Sequence, residues 1–171
     1  MDRLALKHVL GRMWRQKEET VSSAPASADA AVLVADDSRT ILRAFALMLE
    51  REGYLVIPAV DGEQAVTLAR RHKPDLILMD IVMPRMNGFE ATRILVSDPE
   101  TRGIPIVMVS GSSLPSDQVW GMRLGAKGLL AKPVSRDMLL AKVRSVLAHA
   151  RRAELRSPPL QFPTPAVEPK Y

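Results

Sequence analysis

The sequence predicts an α/β fold, a doubly wound five-stranded parallel sheet, from three observations. Short apolar runs at residues 31–35, 55–59, 76–79, 104–109 and 128–131 alternate with helical patterning, as buried parallel strands and crossover helices do. Polar residues follow four of these runs: Asp36-Asp37, Asp80, Ser110-Gly111 and Lys132-Pro133. In an open parallel sheet such residues converge on a crevice at the carboxyl ends of the strands. Pro58, inside the second run, lacks a ladder donor, which suits an edge strand and hence the order 2-1-3-4-5.

The elements follow in chain order. Within residues 1–19, Leu6, Val9, Leu10, Met13 and Trp14 share one helical face while Arg3, Lys7, Arg12, Arg15 and Lys17 occupy the rest, a basic amphipathic helix. Residues 20–30, rich in Ala, Ser and Pro, read as a flexible linker to a domain over 31–151. Its first helix, residues 38–52, carries the stripe Ile41, Leu42, Phe45, Met48 and Leu49 and stops at Gly53. Asp61-Gly62, Asn87-Gly88 and Pro115-Ser116 start the next three helices, the last of these ending near Gly125. On the periodicity of Val119, Met122 and Leu124, Trp120 of this helix faces solvent. The final helix begins at Ser135 and buries Leu139, Leu140, Val143, Val146 and Leu147. Residues 152–171, with prolines at 158, 159, 163, 165 and 169, read as a disordered tail.

Composition narrows the functional classes. A chain of 171 residues holds one ordinary domain with tails, and its formal charge of +5 permits acidic partners. The absence of cysteine excludes disulfides, thiol catalysis and cysteine-bound zinc, and fits a cytoplasmic location. His8, His72 and His149 are far apart and flanked by charges, so they read as surface residues. The N-terminus lacks a signal-peptide core, no segment is long enough to span a membrane, and neither a P-loop nor a DNA-binding helix-turn-helix is present.

Three carboxylates at one crevice repel one another unless a divalent cation joins them. Oxygen-only ligands favour Mg²⁺, which commonly bridges carboxylate and phosphate. With a hydroxyl and an ammonium at the same edge, the set makes a cradle for a phosphoryl group, whose transfer depends on positioning and charge neutralisation.

The ordered set Asp36-Asp37, Asp80 with Met83-Pro84 and Asn87-Gly88, Ser110-Gly111 and Lys132-Pro133 resembles the receiver domain of two-component response regulators, over roughly residues 30 to 150. The resemblance implies a flavodoxin-like sheet and the following roles. Asp80 is the phospho-acceptor, Asp37 a direct Mg²⁺ ligand, and Asp36 acts through metal-bound water, with the backbone carbonyl of Val82 completing the protein ligands. Ser110 and Lys132 contact the phosphoryl group, the amides of Ile81 and Gly111 its oxygens, and the Lys132-Pro133 bond is cis. Two positions depart from the pattern. Leu129 stands where an aromatic usually rotates inward on activation, and Gly111 replaces a small residue bearing a Cβ.

Three functions follow. The first is a stand-alone bacterial response regulator with no catalysis beyond its own phosphorylation and dephosphorylation, taking phosphate from a histidine kinase and binding a downstream protein near Trp120. The second is a phosphorelay intermediate that passes phosphate to a histidine phosphotransfer protein, mildly favoured by Leu129. The third is a motility adaptor that binds cyclic di-GMP through Arg151, Arg152 and Arg156. Trp14 and its amphipathic face would dock on a partner or on a membrane surface.

Overall fold

The computed structural model describes residues 30–111 and 115–156, side chains excepted at 115–118, 154 and 156. The N-terminal amphipathic segment with Trp14, the linker through residue 29 and the chain beyond Arg156 lie outside the described residues. Five strands, β1 (Ala31–Ala35), β2 (Leu55–Ala59), β3 (Leu76–Asp80), β4 (Ile106–Ser110) and β5 (Gly128–Ala131), form one parallel sheet in the order β2-β1-β3-β4-β5. The connecting helices are α1 (Arg39–Glu50), α2 (Gly62–His72), α3 (Gly88–Ser97) and α4 (Pro115–Arg123), and α5 (Arg136–Arg156) follows the last strand. No helix among the described residues is long and apolar enough to cross a membrane.

Side chains alternate across a pleated strand, so one sheet feeds two cores. Val32, Val34, Leu76, Leu78, Val107 and Val109 pack with Leu42, Phe45 and Leu49 of α1 and with Leu139, Leu140 and Val143 of α5. On the other face Leu33, Ile77, Met79, Ile106 and Met108 meet Ala65, Ala69, Ala91 and Leu95 of α2 and α3. Pro58 sits on the edge strand, paired with β1 alone.

Helix starts follow the capping residues. Ser38 accepts from the Ile41 amide and Asp61 from that of Gln64, while Asn87 and Glu90 form a reciprocal capping box. These bonds fix where each helix leaves the carboxyl edge of the sheet.

Four expectations need correction. Ala30, assigned to the linker, is buried, and its carbonyl accepts from the Leu55 amide at 3.0 Å, which extends the sheet contact by one residue. β4 begins at Ile106, not at 104; the carbonyl of Pro105 still accepts from Ile77 at 3.0 Å. The last helix runs to Arg156, past the boundary drawn at 151, because Ala153, Glu154, Leu155 and Arg156 have good helix propensity although Leu155 is 86% exposed. Trp120 is 58% exposed as expected, but Val119 and Met122 are exposed as well, at 49% and 51%. Gly121 lies against Met108 instead, so a glycine faces the sheet and α4 turns three large apolar side chains outward.

Candidate functional site

The expected acidic cluster assembles at the carboxyl edge of β1 and β3. Asp36 directly follows β1, where its amide donates to the Ala59 carbonyl at 3.1 Å and its Oδ1 accepts from the Ser38 amide at 2.9 Å. Its Oδ2 accepts from Lys132 Nζ at 2.7 Å. The same ammonium lies 2.7 Å from Asp80 Oδ1, so one lysine neutralises two buried carboxylates. Asp37 is exposed at the rim, and one oxygen from each of Asp36, Asp37 and Asp80 lies within 4.8 Å of the others.

Residues from three more segments close the site. Ser110 is buried at the end of β4, and its carbonyl accepts from the Lys132 amide at 2.7 Å, tying the serine and lysine strand ends together. The Lys132-Pro133 bond is cis. The β3–α3 loop folds back over Asp80, with the Gly88 amide donating to the Ile81 carbonyl at 2.9 Å. A Cβ at Gly88 would stand 2.1 Å from the Asp80 carbonyl oxygen, so only glycine allows α3 to start this close to the cluster.

The electrostatics follow from this packing. Burial pushes the Asp80 carboxyl above its ordinary value, Lys132 opposes that shift, and Asp36 and Asp37 add to it. Burial works against the Lys132 charge, but its bonds to Asp36 and Asp80 outweigh it and raise its pKa. An oxygen-only cluster with one shared ammonium suits a hard divalent cation, so the donor set fits Mg²⁺.

One expected contact is overturned. The Ile81 amide, assigned to phosphate, donates to the Val109 carbonyl at 3.0 Å and belongs to the sheet ladder. The adjacent residue Val82 points its side chain into solvent, 74% exposed. Gly111 is exposed with nothing within 4 Å of an added Cβ, so its missing methyl opens no steric need of its own. Leu129 is half-buried and packs on the face that holds Met108, already directed inward.

A further pair at this edge went unanticipated. Asp61, expected only to start a helix, also pairs with the guanidinium of Arg85, whose backbone takes φ 63° in the loop after β3. The bond from the Gln64 amide and then the Arg85 contact hold the Asp61 carboxyl below its ordinary value. No local pattern marks Arg85, because its partner lies in another segment. Arg151 and Arg152 lie on the exposed end of α5, on an element that starts at this edge and runs away from it. The Arg156 side chain lies outside the described residues.

Comparison with known proteins agrees with this geometry. Residues 32–144 match the family model of the response regulator receiver domain. The protein PilH of Pseudomonas aeruginosa is 47% identical over 119 residues, covering 70% of this chain and 98% of that protein. The response regulator PleD of Caulobacter vibrioides is 41% identical over 117 residues, which are 68% of this chain and only 26% of PleD. The chemotaxis response regulator CheY4 of Vibrio cholerae, 33% identical, superposes with a TM-score of 0.65 over 68% of this chain and 98% of its own. With the same sheet order and an acidic cluster at its carboxyl edge, this chain belongs to the response regulator receiver family and is a signalling protein.

Proposed function

We propose that the protein is a cytoplasmic response regulator whose Asp80 accepts a phosphoryl group from a phosphohistidine and which signals through a protein partner. The placement of Lys132 Nζ at 2.7 Å from both Asp36 and Asp80 carries this reading, because it gathers nucleophile, metal-binding acid and phosphate-binding cation in one pocket. An Asp80 oxygen attacks phosphorus, the phosphorus–nitrogen bond breaks, and the electron pair leaves with the imidazole. Lys132 then shifts its hydrogen bonds to the phosphoryl oxygens, joined by the Ser110 hydroxyl and the Gly111 amide. With Ile81 committed to the ladder, the Val82 amide is the backbone donor on the opposite side.

Mg²⁺, held by Asp37, Asp80 and the Val82 carbonyl directly and by Asp36 through water, would neutralise charge on the transferred group. On phosphorylation the negative charge moves from the Asp80 carboxylate to the phosphoryl oxygens, so Lys132 exchanges its contact with the carboxylate for one with the phosphoryl group. The exposed Val119, Trp120 and Met122 on α4, which begins just after the Ser110 loop, form the apolar face for a downstream protein. The inward packing of Leu129 favours a second reading, a relay to a histidine phosphotransfer protein, since no aromatic has to move for the chemistry.

Labelling with a phosphorylated histidine kinase, or with acetyl phosphate, in the presence and absence of Mg²⁺ tests the assignment. The Mg²⁺-dependent signal, labile to alkali and to hydroxylamine as an acyl phosphate is, should vanish in Asp80→Asn. Undiminished labelling of that variant, or phosphate on another residue, removes Asp80 from the reaction.

A further inference from the structure

A groove of about 700 Å³ lies at the opposite, amino edge of the sheet, between the α3–β4 loop, the start of β5 and α5. Arg102, Lys127 and Lys142 line it together with His149, over an apolar floor that includes Pro105 and Val146. No acidic side chain stands among the described residues that line it. Arg102, Lys127 and Lys142 have no ion pair and no side-chain hydrogen bond among the described residues. The acids nearest Arg102 in sequence are already engaged, Asp98 with Arg70 and Glu100 with Lys73.

Single solvated cations are ordinary on a surface. Three that converge on one concavity repel each other, and no acidic side chain among the described residues that line it offsets that repulsion. Lys142 lies across the start of β5, its Nζ 3.1 Å from where a Cβ of Gly128 would be, so the strand's glycine makes room for the ammonium beside the groove. The concavity has the size and the mixed apolar and polar lining of a small-molecule site.

We infer that this groove binds a soluble anion carrying two or more phosphate groups, with Arg102, Lys127 and Lys142 as its ligands. The guanidinium of Arg102 can take one phosphate bidentately, while the two lysines act as point charges on the others. A curved recess selects a small anion over a flat lipid surface. The site is separate from the Asp80 pocket, which lies at the other end of the strands, and does not depend on phosphorylation there.

Calorimetric titration of the full chain with tripolyphosphate, without divalent cations, tests this. Saturable one-to-one binding that weakens as salt rises is expected. Combining Arg102→Gln, Lys127→Gln and Lys142→Gln should weaken binding about tenfold or more. Lys127→Gln alone should weaken it about threefold and Lys73→Gln, whose lysine is paired elsewhere, less than about twofold. Thermal unfolding checks that each variant is folded. Failure of the native chain to bind, an equal loss in Lys73→Gln, or association only with vesicles containing phosphatidylglycerol would overturn the inference.

Discussion

The two edges of one sheet handle charge in opposite ways. At the carboxyl edge Asp36, Asp80 and Lys132 are drawn out of water and paired with each other at 2.7 Å, so every change of charge there is felt by a buried neighbour. At the amino edge, about 16 Å away along a five-residue strand, Arg102, Lys127 and Lys142 stand in a groove with no side-chain partner among the described residues. The first arrangement stores coupling between groups, which a phosphoryl transfer can use. The second leaves charge available to a diffusing ligand.

Glycines sharpen the contrast most. At Gly88 a methyl group would meet the Asp80 backbone at 2.1 Å, whereas at Gly103, on the amino edge, it would meet nothing within 4 Å. Gly88→Ala should therefore cost about 2–3 kcal/mol in urea unfolding and depress Asp80 labelling, while Gly103→Ala should stay within about 0.5 kcal/mol. Equal stability of the two variants would show that the β3–α3 loop can yield, and that Asp80 is not held by α3.

Lysines give the next largest difference. Lys132→Ala strands two buried carboxylates and should cost about 1–3 kcal/mol, less than for a fully buried pair because the lysine is partly exposed. Lys142→Ala removes a charge with no ion pair among the described residues and should be close to neutral. Removing the ammonium should leave Mg²⁺ affinity intact or tighten it, whereas Asp37→Asn should weaken it about tenfold through loss of an anionic ligand. A metal titration in which Lys132→Ala loses Mg²⁺ and Asp37→Asn keeps it would reverse these roles.

The same asymmetry explains what the sequence reveals. Carboxyl-edge residues are legible because each directly follows an apolar run: Asp36, Asp80, Ser110 and Lys132 are placed by the strand preceding them. The sheet order was legible from a single proline, since Pro58 cannot donate to a ladder on both sides. The amino-edge groove draws Arg102, Lys127 and Lys142 from a loop, a strand start and a helix, with no spacing to connect them. The Ile81 amide is not legible in the same way, because sequence marks which residue ends a strand and not which of the neighbouring hydrogen bonds the next strand takes; Val109 takes that one. The inward face of α4 is not legible from Val119 and Met122, because large apolar residues mark a buried stripe in most helices and here it is Gly121 that contacts the sheet.

The smallest effect belongs to the pair that spans the carboxyl edge from the outside, Asp61 with Arg85. The amide of Gln64 and the Arg85 guanidinium both favour the ionised carboxyl, so the folded protein binds this proton less readily than the unfolded chain. The sign follows from linkage: stability from this group is present above the ordinary carboxyl value of 3.8 and is lost as pH falls through the lower folded value. Asp80 has the opposite sign, because burial makes its folded carboxyl hold a proton more tightly, so its ionisation weakens folding as pH rises above 3.8. Arg85→Ala removes one of the two contacts on Asp61 and leaves the Gln64 bond in place. Its urea midpoint should fall slightly at neutral pH and converge on that of the native protein in acid. A difference that stays constant down to pH 2 would assign Arg85 a packing role in the loop and not an electrostatic one.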